Sequence, residues 1–304
     1  MSYGLQFGVV CAMVLLGCSK VTLQGSVSRG YIRNTSDSVL FNAQLFVVIG
    51  IVMAALFPLG KIGWDGILMA SMTAVCTVVF QSFYALALKT GPVSLTVLIG
   101  NFALFFTTVF CVAVYHESVY LTQLFGIAFL VLSMILSVKK GKDEKGVSGK
   151  WILFVALMTI ANSAASVFMK VFTMDMSARF ENSQNTFMVI AYAIAAVLGF
   201  VFYFLSAHTG RREGNTYGFF NRRVLLYALS IGVILGIYQK FYLIGLEKID
   251  GGFLFPTYSG MQSLCMTVIG ILFFKDKLSV RQIFGVACGI ICVVLMNVRY
   301  LKLF

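Results

Sequence analysis

Few side chains of this 304-residue sequence could do covalent chemistry. The only histidines, His116 and His208, fall at the ends of long apolar runs, so no histidine-based catalytic set or metal centre can be assembled from them. All seven cysteines (Cys11, Cys18, Cys76, Cys111, Cys265, Cys288, Cys292) lie inside such runs and read as small core residues, without disulfide or metal spacing. None of the eleven Asp and Glu residues stands in the middle of an apolar run. What remains at depth is uncharged and polar: Asn101, Asn162, Gln262, Gln81 and Gln239, with Lys240 beside them and Tyr84, Tyr242 and Tyr258 as amphipathic walls. An amide offers donors and acceptors together, and tyrosine joins an apolar ring to a hydroxyl. The chemistry they imply is recognition of a small polar solute. Lys240 would add a cation suited to an anionic or zwitterionic solute such as an amino acid or carboxylate. No metal or other cofactor is expected, and no enzyme activity.

The elements that must position these residues follow from composition. Hydrophobic types make up 60% of the chain and charged types 11%, and the mean hydropathy is +0.93. A soluble domain of this length could not bury that much apolar surface. Spanning a hydrocarbon core takes about 20 apolar residues in a helix. Ten runs qualify: 3–25, 38–58, 64–88, 92–115, 120–139, 151–172, 185–207, 223–246, 252–274 and 280–300. Turn chemistry separates them, as in Pro58-Leu59-Gly60, Thr90-Gly91-Pro92 and Asp250-Gly251-Gly252. Counting inward at the helical rise places Asn101 about 14 Å deep, Asn162 about 17 Å and Gln262 about 15 Å, all near the bilayer midplane. The same groups could instead serve as hydrogen-bonding glue between helices. Lys20 and Lys170 lie within two turns of a helix end and could snorkel to the interface.

The sequence repeats itself. Gln81-Ser-Phe-Tyr84-Ala-Leu-Ala-Leu88 matches Gln239-Lys-Phe-Tyr242-Leu-Ile-Gly-Leu246, and the Glu117, Gln123, Phe125-Gly126 spacing recurs at Asp276, Gln282 and Phe284-Gly285. Lys20-Val21 pairs more weakly with Lys170-Val171. The charged stretch 139–150 falls almost at the middle. The organisation expected is therefore residues 1–140 as a first five-helix repeat, 141–150 as a linker and 151–304 as a second repeat. Five is odd, so the second copy must enter from the opposite side. The fold class is all-α integral membrane, ten transmembrane helices as a 5+5 inverted repeat, an arrangement used by secondary transporters with the site between the halves.

The net charge of +12 would suggest nucleic acid in a soluble protein. Here the basic residues crowd the loops 1–2, 3–4, 5–6, 7–8 and 9–10, so they mark a cytoplasmic face and put both termini outside. Nucleic acid is excluded as a partner. A small-molecule solute and membrane lipid are the partners expected, with homodimer formation left open.

The blocks Tyr115-His-Glu117-Ser-Val-Tyr-Leu-Thr-Gln123-Leu-Phe-Gly126 and Phe274-Lys-Asp276-Lys-Leu-Ser-Val-Arg-Gln282-Ile-Phe-Gly285 resemble the drug/metabolite transporter superfamily, in its ten-helix EamA-type branch. The Phe-Tyr-x-x-small-Leu endings at 83–88 and 241–246 fit as well. The resemblance implies a transporter in a bacterial plasma membrane. It assigns Glu117, Asp276, Gln123, Gln282, Gly126 and Gly285 to structure, the acids accepting backbone N–H groups where the next helix opens. Two departures stand out. The family's proline of the fourth and ninth helices is replaced by Asn101 and Gly260, and its cytoplasmic termini oppose the charge count. The buried glutamate that small multidrug members use in the first helix is missing. A lipid flippase, or a membrane-embedded enzyme acting on lipid, is the alternative; the first would want an apolar path, the second a cluster of acids, His or Cys at one interface.

Overall fold

A computed structural model describes residues 3–31, 35–90, 103, 106–116, 120–137, 149–177, 183–208, 221–274 and 280–297. Among them every element of regular structure is a helix. In order come α1 (Tyr3–Gly30), α2 (Thr35–Leu56), α3 (Trp64–Thr90), α4 (Phe106–Tyr115), α5 (Leu121–Ser137), α6 (Gly149–Val171), α7 (Gln184–His208), α8 (Arg222–Lys248), α9 (Gly251–Phe274) and α10 (Val280–Asn297). Six of the described helices are long and apolar enough to cross a membrane by length and composition. Helix is the form these runs must take, because hydrocarbon offers the backbone no partner but itself. Their scattered hydroxyls bond back to the preceding turn: Thr22 to the Cys18 carbonyl at 2.9 Å, Thr77 to Thr73 at 2.8 Å, Ser82 to Val78 at 2.8 Å.

Helix ends follow local chemistry. Asn221 caps α8, its Oδ1 accepting from the N–H groups of Arg223 and Val224 at 3.1 and 3.3 Å. Ser183 caps α7 through the Thr186 N–H. His116 follows α4 at φ 51°, the left-handed conformation that stops a helix. α6 does not end at residue 172. It runs on through a π-helical turn, Phe172–Met176, that contains Asp175. The acid tolerated there accepts the Tyr115 hydroxyl at 2.9 Å. π-turns of this kind recur at functional sites.

α3 packs along α6 and α1 along α8; α2 lies between α7 and α8; α3 also meets α7; α5 pairs with α10, and α9 bridges α10, α5 and α1. Small residues permit the tightest of these contacts. A Cβ added at Gly232 would lie 2.3 Å from Val48 Cγ1, and one at Gly236 would lie 2.6 Å from Val52 Cγ1. α2 and α8 are thus held by a small-xxx-small stripe. Gly126 and Gly285 are both buried in the α5–α10 pair, where the Ser133 hydroxyl donates to the Gly285 carbonyl at 2.6 Å. Large apolar side chains such as Leu15, Ile51, Leu68, Ile160, Phe202 and Phe284 remain exposed on the outside of the bundle, as a lipid-facing surface requires.

Candidate functional site

Four tyrosines and two glutamines meet inside the bundle. α8 supplies Tyr238, Gln239 and Tyr242, spaced so that all three share one side of the helix. α9 supplies Tyr258 and Gln262, a turn apart, and α7 supplies Tyr192. The Gln239 amide Nε2 donates to the Tyr192 hydroxyl. Tyr258 accepts hydrogen bonds from the Tyr238 hydroxyl and from Gln262. The Ser166 hydroxyl of α6 donates to Tyr242. The rings of Tyr238 and Tyr242 stack at 6.0 Å and 13°, and Tyr258 tilts against Tyr238 at 6.1 Å.

The first part of the chain closes this cluster. A Cβ at Gly17 of α1 would stand 2.8 Å from the Tyr258 hydroxyl and 3.1 Å from Gln262 Nε2. Only glycine lets α1 come so near. Phe46 of α2 lies against Tyr192 at 6.0 Å. Depth is set by helical rise: Gly17 is about 21 Å from the Tyr3 end of α1, Gln262 about 17 Å from the Gly251 end of α9, Gln239 about 14 Å from the Lys248 end of α8. Pro256 inside α9 withholds the N–H that would bond the Gly252 carbonyl in the helix's first turn.

The sequence-derived candidates divide. Gln239, Tyr242, Tyr258 and Gln262 come together here. Asn162 lies one turn before Ser166 on the same side of α6 and is half-buried. Tyr84 stands apart: it stacks on Phe80 at 5.8 Å and packs beside Trp151, Val155 and Met158 where α3 meets α6. Gln81, one turn earlier on α3, is half-buried. Asn101, Glu117 and Asp276 lie outside the described residues. Gln123 and Gln282 fall in the first turns of α5 and α10, their side chains likewise undescribed. Tyr192, Tyr238, Ser166 and Gly17 were not legible as site residues. Tyr238 carried a signal, its one-turn spacing from Tyr242; Tyr192 carried none.

Lys170 and Lys240 go elsewhere, while Lys20, part-buried, lies one turn past Gly17 on α1 and about 15 Å from the Gly30 end, deeper than the two turns expected. Lys240, next in sequence to Gln239, turns away and donates to Asn185 Oδ1 at 2.9 Å, with Phe57 under its ammonium at 5.6 Å. Lys170 does not snorkel. It is 1% exposed, and its Nζ donates to the Leu246 carbonyl at 2.9 Å, 5.9 Å from the Tyr115 ring.

Both lysines belong to one end of the bundle, where the α2–α3 connection meets α7 and the end of α8. There Asn185 Nδ2 donates to the Pro58 carbonyl at 2.9 Å, the Ser183 N–H to the Lys61 carbonyl at 2.8 Å, and Thr186 exchanges bonds with Gly60 at 2.9 and 3.0 Å. Gln184 donates to Glu247 at 2.9 Å, and Glu247 also pairs with Lys248.

The sequence pattern of the EamA-like transporter family matches residues 149–298, from α6 through α10. Multidrug resistance protein EbrA of Bacillus licheniformis is 34% identical over 70 residues, which make up 22% of this chain and 67% of that protein. A solved crystal structure superposes with a TM-score of 0.77 over 99% of both chains at 14% identity, a likeness of fold alone.

Proposed function

As a member of the EamA-type branch of the drug/metabolite transporter superfamily, this chain is a multi-pass membrane protein whose family moves small molecules, and on that premise we propose a secondary transporter of a small polar solute, working by alternating access with the solute held at the amide–tyrosine cluster. The observation that carries this reading is the cluster itself: hydrogen-bonding groups of α6, α7, α8 and α9 gathered at mid-depth, away from lipid, with α1 and α2 closing over them.

The helix pairings support a 5+5 inverted repeat. Exchanging α1–α5 with α6–α10 turns the α3–α6 pair into α8–α1, and α2–α8 into α7–α3, while α2–α7 and α5–α10 map onto themselves. Two such halves could rock about a central site. The bonds joining the α2–α3 connection to α7, with the Tyr115–Asp175 bond, tie the halves at one end. In this reading they form the closed gate, and a solute enters from the other end, exchanging its water for tyrosine hydroxyls and amides. Lipid handling fits less well, because a lipid path would be apolar where this cluster is polar.

A second reading comes from the relative named for multidrug resistance: the aromatic faces could hold an organic cation. Among the described residues no carboxylate is bonded to the cluster to favour it.

The test is uptake by purified protein in proteoliposomes across amino acids, organic acids, amines and neutral solutes. The double variant Asn101→Ala, Gln262→Ala is expected to abolish uptake while remaining folded. Full activity in that variant would remove the site assignment.

A further inference from the structure

One charge stands beside the cluster without a partner. Met13, Gly17 and Lys20 share the face of α1 that meets α8 and α9. A Cβ at Gly245 of α8 would lie 3.7 Å from Met13 Sδ, and the rings of Tyr31 and Tyr227 lie 6.2 Å apart. α1 and α8 therefore run antiparallel, in a register that brings Lys20 level with Tyr238. One turn before it, Gly17 abuts Tyr258 and Gln262. Lys20 is enclosed by the bundle but not sealed. Tyr238 and Gln262 are part-exposed as well, while Tyr192, Gln239, Tyr242 and Tyr258 are buried. The three part-exposed residues lie on the side of the cluster away from the α2–α3 connection, the side from which the solute of the transport reading enters.

Among the described residues no acceptor takes a hydrogen bond from the Lys20 ammonium, and no carboxylate pairs with it. The other charges are committed or remote. Lys240 is held by Asn185 and Lys170 by the Leu246 carbonyl, while Asp175 serves Tyr115 and Glu247 serves Gln184 and Lys248. Asp37, Asp65 and Asp250 stand where α2, α3 and α9 begin. Snorkelling does not relieve Lys20, because its four-carbon stem falls well short of the helix end, about 15 Å away. A cation held at that depth without a counter-charge is costly, and an anion bound beside it offsets the cost. The expectation of an anionic or zwitterionic solute rested on Lys240; the cation at the cluster comes from α1 instead.

Resting on the transport reading above, we propose that the solute carries one carboxylate and that Lys20 is its counter-charge. The carboxylate meets the ammonium at the mouth of the cluster, and the rest of the solute lies on the tyrosine rings and amides behind it. A single cation suits a single carboxylate, since a second negative charge would go unpaired.

The experiment offers the full chain in proteoliposomes a panel of probes, with uptake counted above that of protein-free vesicles. Nicotinate, nicotinamide and 1-methylnicotinamide present one ring as anion, neutral molecule and cation. Leucine and its 2-oxo acid present a carboxylate with and without an ammonium, which separates a zwitterion from a simple anion as its source. A hexose phosphate presents a different anion. The same probes are read by their effect on the melting temperature of the detergent-purified protein. Uptake is expected to be confined to carboxylates. For whichever of them is taken up, Lys20→Gln should raise KM by about tenfold or more, and Lys20→Arg should keep it near the wild-type value. Lys20→Met is expected to fold and, without solute, to melt no earlier than the wild type, because the lysine has no partner to lose. Uptake of the amide, the cation or the phosphate ahead of every carboxylate overturns the proposal. So does carboxylate uptake with an unchanged KM in folded Lys20→Gln, and loss of the fold in both neutral variants would make Lys20 a structural residue and overturn it too. A carboxylate that stabilises the wild type but not Lys20→Gln, with no uptake, removes the transport reading and keeps the carboxylate site. Neither uptake nor stabilisation by any probe removes both.

Discussion

Lys170 and Lys240 show how little a residue type says about its use in a bilayer. Both are lysines near the same end of the bundle, yet one is sealed against the Leu246 carbonyl and the other is half-buried on Asn185. Removing a buried, hydrogen-bonded charge strips its partners as well as the charge. Lys170→Ala is therefore expected to lower stability by roughly 2 kcal/mol or more, and Lys240→Ala by under about 1 kcal/mol, in the range of exposed polar pairs. Unfolding by denaturant titration in mixed micelles reads the difference, and equal costs would refute the contrast. Gly17 belongs at this scale too. Gly17→Val must push Tyr258 and Gln262 aside, so uptake should fall at least tenfold while the protein still folds. Unchanged uptake would separate α1 from the site.

Between helices, fit decides more than chemistry. Gly232 and Gly236 admit Val48 and Val52 of α2 at distances no side chain could share. Gly232→Leu is expected to cost about 1–3 kcal/mol through overpacking, and the double variant with Val48→Ala should recover part of it. Additive losses in that cycle would argue against direct contact. The α2–α3 connection offers a test of rocking. A Cβ at Gly60 would stand 2.9 Å from Ser183 Cβ, close to what a disulfide asks for after a small shift. Gly60→Cys with Ser183→Cys should cross-link on oxidation, stop uptake, and regain it on reduction. Transport that continues in the cross-linked protein would mean that this end need not open.

At the scale of the whole molecule, the open quantity is orientation. The basic loops point to the cytoplasm by the positive-inside rule, whereas the family resemblance puts both termini there. A single cysteine placed at position 142 in the linker is expected to resist an impermeant thiol reagent in intact cells and to react once they are opened. Strong labelling in intact cells would reverse the topology.

Composition and apolar run length settled that this chain lives in a membrane as a bundle of helices, because no other backbone form satisfies its own hydrogen bonds there. Run ends read from turn residues lie within about five residues of the described helix ends, except where α6 continues through its π-turn and its Asp175 finds Tyr115; the expected start of the fourth run at residue 92 lies outside the described residues. Spacing along one helix also let half of the cluster be read: Gln239 with Tyr242, and Tyr258 with Gln262. What sequence order could not supply was which faces meet. Tyr192, Gly17 and Ser166 join the site from three other helices, Tyr84 leaves it, and Lys240 turns its back on the glutamine beside it. Helix rotation and crossing are fixed by close packing between segments distant in sequence, and that information exists only once the halves are assembled.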